Sequence, residues 1–110
     1  MYVGSLPPAS IHGTWLENME VRSIDDDTYY DFSGLTEITV ELRDPVTGFA
    51  ELTLTMTNGD ITLPAPGIIQ WKAAPETMGL LATKLYEVLI VLEDPDEVVP
   101  FVIGSISILE

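Results

Sequence analysis

Two segments of strict polar–apolar alternation, joined by a short turn, constrain this chain more than any other feature. Glu37-Ile38-Thr39-Val40-Glu41-Leu42-Arg43 alternates, Asp44-Pro45-Val46-Thr47-Gly48 turns, and Ala50-Glu51-Leu52-Thr53-Leu54-Thr55-Met56-Thr57 alternates again. Side chains of a strand point to opposite faces in turn, so each segment has one wet face and one face that a second layer must cover. Ile38, Val40, Leu42, Leu52, Leu54 and Met56 are the expected inward set.

The rest of the chain reads as the cover. Residues 1–10 contain Pro7 and Pro8 and no periodicity, and are expected to form an extended arm; residues 11–110 form one domain. Ile11–Arg22 reads as a strand with an imperfect pattern, and Ser23–Tyr30 as a loop. Asn58-Gly59 is a strong hairpin signal, because a type I′ turn needs positive φ at both central residues. It is expected to return the chain into a strand at Asp60–Leu63, followed by another at Ile68–Lys72. Ala73–Leu81 breaks the rhythm; Pro75 and Glu76 suit the first turn of a short helix. Two long strands, Lys84–Leu92 and Val98–Leu109, flank the turn Glu93-Asp94-Pro95-Asp96-Glu97. About seven short strands with turn signals between them and almost no helix predict an all-β, two-layer antiparallel sandwich with one short helical turn. A small barrel is the alternative.

Composition narrows the function classes. A hydrophobic fraction of 46% in 110 residues supports a real core. The absence of cysteine removes disulfides, zinc-thiolate sites and thiol chemistry. No basic n-region with a long apolar stretch opens the chain, and no apolar run approaches the roughly 20 residues of a membrane span, so a soluble protein without a membrane partner is expected. Eighteen acids stand against four bases, Arg22, Arg43, Lys72 and Lys84, for a net charge of −14. Nucleic acid is a poor partner for such a surface, since binding phosphate backbones depends on clustered Lys and Arg. The acids cluster in loops and alternate with threonine rather than line a rod, which argues against phosphate mimicry and for a solvated, solubilising surface.

Little in the residues speaks for catalysis. His12 is the one histidine, with no acid or nucleophile patterned around it, and no nucleophile elbow or phosphate-cradling glycine loop is present. No catalytic residue, metal ligand or cofactor is assigned, and no enzyme is expected. Asp25-Asp26-Asp27 and Glu93–Glu97 are acidic loops, but neither has the spaced ligands of a calcium loop. Trp15, Trp71 and Tyr86 sit within apolar strands and are expected in the core rather than on a sugar-binding platform.

The most informative oddity is a second apolar face. If Tyr86, Val88, Ile90 and Leu92 point inward, and Val102, Gly104, Ile106 and Ile108 with them, then Leu89, Val91, Phe101 and Ile103 form a patch on the other side. Monomers rarely leave such a patch open to water. Either the N-terminal arm or another subunit covers it, and these four residues are the candidate partner interface.

The order of motifs resembles a group of small proteins from tailed-phage and prophage structural modules. A tryptophan-bearing first strand (Trp15-Leu16) is followed by a glycine step (Asp31-Phe32-Ser33-Gly34) and a strand ending Val40-Glu41-Leu42-Arg43-Asp44. Asn58–Leu63, Ala74–Leu80, Tyr86-Glu87-Val88, Asp94-Pro95-Asp96 and Gly104-Ser105-Ile106-Ser107-Ile108 come next, so the likeness spans roughly residues 15 to 109. Phe32 and Ser33 replace a leucine and a threonine of the pattern, and Lys84-Leu85 stands where a glycine precedes the tyrosine. The chain is similar in style to the immunoglobulin-like N-terminal domains of phage baseplate upper proteins. That resemblance implies an Ig-like β-sandwich and a non-catalytic virion component of the tail, baseplate, neck or head decoration. It would be assembled in the bacterial cytoplasm, act through contacts with other virion proteins, and form a homo-oligomer. The runner-up is a carbohydrate- or calcium-binding sandwich module.

Overall fold

A computed structural model describes residues 4–21 and 32–110. The chain is all-β, with two sheets and one short helix. In chain order the strands are β1 (Gly4–Ser5), β2 (Ala9–Ser10), β3 (Trp15–Glu20), β4 (Glu37–Arg43), β5 (Ala50–Thr55), β6 (Ile61–Ala65), β7 (Ile68–Ala73), β8 (Leu85–Glu93) and β9 (Val98–Leu109), with α1 (Pro75–Met78) between β7 and β8. The larger sheet runs β1-β9-β8-β4-β5, with β2 also on β9; the smaller runs β3-β7-β6.

The alternating segments form the centre of the larger sheet. β4 pairs antiparallel with β5 on one side and with β8 on the other, bringing Ile38 opposite Leu92, Val40 opposite Ile90 and Leu42 opposite Val88. These side chains are buried with Leu52, Leu54, Tyr86, Ile106 and Ile108, and the smaller sheet covers them with Trp15, Ile61, Ile69 and Trp71. Met56, expected with the inward set, is half-buried at the margin of this core. The rings of Trp15 and Trp71 meet edge to face, 5.9 Å between centroids, which suits the opposite charges of an aromatic edge and face. Met78 of α1 and Leu81 beyond it add to the same core. Pro75 starts α1 where its missing N–H costs no hydrogen bond.

Three expectations need correction. First, the larger sheet is mixed rather than purely antiparallel. Gly4 and Ser5 pair in parallel with Gly104 and Ser105, and Ala9 and Ser10 with Ile108 and Leu109. The Leu6 N–H donates to the Ser105 carbonyl (2.8 Å) and the Ile11 N–H to the Leu109 carbonyl (2.9 Å). Pro7 and Pro8 interrupt the arm between its two short strands, since proline lacks the donor a ladder needs. With these two-residue strands, nine strands rather than seven lie among the described residues.

Second, Asn58-Gly59 does not close a hairpin. β5 pairs with β4 and β6 with β7, so the turn is a corner between the two sheets. Gly59 has φ of +85°. The Glu37 carboxylate holds the corner from the neighbouring strand, accepting the N–H groups of Met56 (3.0 Å) and Thr57 (3.1 Å) and the Thr57 hydroxyl.

Third, β9 changes face partway along. Val88 pairs with Gly104, yet Leu89 pairs with Val102, which leaves Ile103 as an extra, unpaired residue. Such a bulge shifts the alternation by one position. Beyond it Phe101 lies opposite core-facing Ile90, whereas Val102 faces outward with Leu89. Gly104 adopts φ of +149°, a conformation that side chains rarely tolerate.

Candidate functional site

Two surfaces stand out once the sheets are placed. One is the outer face of the β8–β9 hairpin, where the candidate interface was expected. The bulge divides the expected patch. Ile103 is 3% exposed and belongs to the core, and Phe101 packs against that core. Leu89 and Val91 do lie on the outer face, opposite Glu41 and Thr39 of β4. Leu89 is nonetheless buried there, while Val91 is half-buried. Residues the alternation had placed elsewhere take over the rest of the face: Val102 at 38% exposed, Val98 at 59%, and Leu85 near the other end of the hairpin. The sequence signal for this switch was Gly104, a glycine in the middle of a long strand.

Charged groups on this face and at its margin are largely paired. The Arg43 guanidinium meets the Glu41 carboxylate at 2.7 Å. The Lys84 ammonium pairs with Asp44 and also reaches Glu51 at 3.0 Å. The Lys84 hydrogen bond, with the Thr47 and Val46 N–H groups, pulls the Asp44 pKa down to about 2. The same pairing pushes the Lys84 pKa up. Burial raises the pKa of the Tyr86 hydroxyl, which exchanges hydrogen bonds with the Ala82 backbone.

The two Asp-Pro turns share one device. Asp44 Oδ1 accepts the N–H of Val46 (2.7 Å) and of Thr47 (3.1 Å). Asp94 Oδ1 accepts the N–H groups of Asp96 and Glu97, both at 2.8 Å. Each aspartate therefore closes its own turn, as short polar side chains do. Among the described residues no group of three or more His, Asp or Glu side chains is placed to hold a metal ion, and no helix is long and apolar enough to cross a membrane. Asp25-Asp26-Asp27 and the rest of the expected Ser23–Tyr30 loop lie outside the described residues.

The other surface is a cleft of about 330 Å³ where the two sheets part. The Asn58-Gly59 corner joins the sheets on the β5–β6 side; on the opposite side β3 and β1 are both terminal strands. The cleft lies in that second seam. Leu6 and Pro7 of the arm form one wall, Ile103 and Trp71 contribute apolar surface, and β3 borders it continuously from Glu17 to Glu20. Sequence reasoning missed this site; its one trace was the imperfect pattern of β3. Glu17 pairs across the sheet with Trp71 and so shares a face with Trp15 and Met19, both of which contact the core.

No protein-family model and no curated protein matches this chain in sequence.

Proposed function

We propose that this chain is a non-catalytic structural component of a tailed-phage or prophage virion, an Ig-like β-sandwich that works through protein–protein contacts as a homo-oligomer. The observation that carries the contact reading is the outer face of the β8–β9 hairpin, where Leu85, Val98 and Val102 are exposed beside Val91. Exposed apolar patches rimmed by polar groups mark association surfaces. Here Glu87 and Glu93 of β8 lie on the same face, where their charge keeps free subunits apart until the apolar surfaces meet in register. The phage assignment rests on the order and spacing of the motifs from Trp15 to Ile108.

Light scattering on the purified chain tests the contact reading. The wild type should exceed monomer mass, and Val102→Glu should return it to monomer with its fold intact. A wild type that is monomeric at every concentration would overturn the homo-oligomer. Mass spectrometry of purified particles from an induced lysogen carrying the gene tests the virion assignment, which fails if the chain is absent from the particles. The carbohydrate reading loses its two largest aromatic rings, because Trp15 and Trp71 are buried.

A further inference from the structure

The seam cleft contains an arrangement that packing does not explain. Glu17 is half-buried on the core-facing side of β3, between Trp15 and Met19, with no hydrogen bond or ion pair among the described residues. Its surroundings are apolar: Leu6, Met19, Trp71 and Ile103. A carboxylate in that position is a directional feature, since a partial loss of water favours pairing with a cation.

The strand that carries it is also open. Among the described residues β3 pairs only with β7, so its other edge presents unpaired backbone groups. Asn18 and Glu20 point to the face opposite Glu17, yet they too border the cleft. The cleft therefore opens along the strand edge itself, not behind it.

We propose that the free edge of β3 docks an extended segment of a partner protein, and that an arginine or lysine of that segment enters the cleft to pair with Glu17. Main-chain hydrogen bonds to β3 would hold the segment, and the pocket would select the side chain. The apolar walls suit the hydrocarbon stem of a basic residue whose charged end meets the carboxylate. Complementarity of charge points the same way, because this chain carries −14 and has only four bases of its own. The inference deepens the protein–protein reading above but uses a different surface from the β8–β9 face.

The test titrates the full chain with three capped peptides of alternating threonine and valine that differ only at a central arginine, glutamine or glutamate, following backbone amide signals by NMR. The arginine peptide should shift the amides of β3 saturably, bind at least about tenfold more tightly than the glutamine peptide, and lose that margin in Glu17→Gln. Equal affinity for the arginine and glutamine peptides, or an unchanged margin in Glu17→Gln, overturns the proposal. So does the absence of binding by all three, which would leave Glu17 as an inward-pointing charge that only guards the edge against self-pairing. Light scattering on Glu17→Gln separates the two surfaces. Its oligomeric state should match the wild type, so a monomeric wild type that binds the arginine peptide refutes the oligomer and spares the cleft.

Discussion

Val102 and Ile103 are neighbours in sequence and both apolar, yet they face opposite sides of the larger sheet. The bulge across from Val88 and Leu89 turns Ile103 into the core and leaves Val102 at the surface. Ile103→Ala should cost about 2–4 kcal/mol, as a buried large-to-small change does. Val102→Ala should stay within about 0.5 kcal/mol of wild type. Urea denaturation of the two variants checks the pair, and similar losses at both would mean that the strand continues without a bulge.

Gly104 holds the bulge through its backbone. At φ of +149° any side chain is strained, so Gly104→Ala should lose about 1–3 kcal/mol. The measurement is the denaturation midpoint, with circular dichroism confirming that the sheet content is kept. A midpoint equal to that of the wild type would show that the strand can relax around a side chain at this position.

Acid should weaken the fold through two carboxylates in particular. The folded pKa of Asp44 is about 2 against an ordinary 3.8, and that of Glu37 is lowered from 4.5, chiefly by the hydrogen bond from the Thr57 hydroxyl. A lowered folded pKa means stability that is present above the unfolded value and is lost as pH falls toward the folded one. For Asp44 that window runs from 3.8 down to about 2. Lys84 has the opposite sign: its contribution is present below its ordinary 10.5 and is lost as pH rises beyond that value. The stability gap between wild type and Asp44→Asn should therefore close as pH falls through the Asp44 window, and a gap independent of pH would contradict it.

The turn between β8 and β9 should depend on Asp94 and not on a cation. Its Oδ1 is already engaged by two backbone N–H groups. Asp94→Ala should cost about 1 kcal/mol. Calcium at about millimolar concentration should leave the melting temperature of the wild type unchanged. A rise in Tm that Asp94→Ala abolishes would reveal an ion at this turn.

Much of the architecture was legible because burial acts on individual side chains. The alternation of β4, β5 and β8 directly encodes which residues meet the second layer, and Ile38, Val40, Leu42, Leu52, Leu54, Val88, Ile90 and Leu92 are all buried. The face of β9 was not legible in the same way. Val98 to Ile103 is apolar at every position, so period-two counting fits either frame, and only the register against Val88 decides between them. The Asn58-Gly59 signal is local and correctly marks a sharp turn at Gly59, but which sheet the next strand joins depends on Trp71 and Gln70, far along the chain. Glu17 was hidden for a similar reason. A glutamate in an irregular strand reads as surface until its cross-strand neighbour is known to be Trp71.

The parallel pairing of Gly4 with Gly104 joins positions about a hundred residues apart. While the chain is being made, the arm has nothing to align on until β9 emerges, and β9 also brings Ile103, Ile106 and Ile108 to the core. Contacts this distant in sequence close slowly. The final strand thus acts as the latch of the whole assembly, and before it arrives both β8 and the arm present bare edges to any chaperone, neighbour or nascent copy at hand.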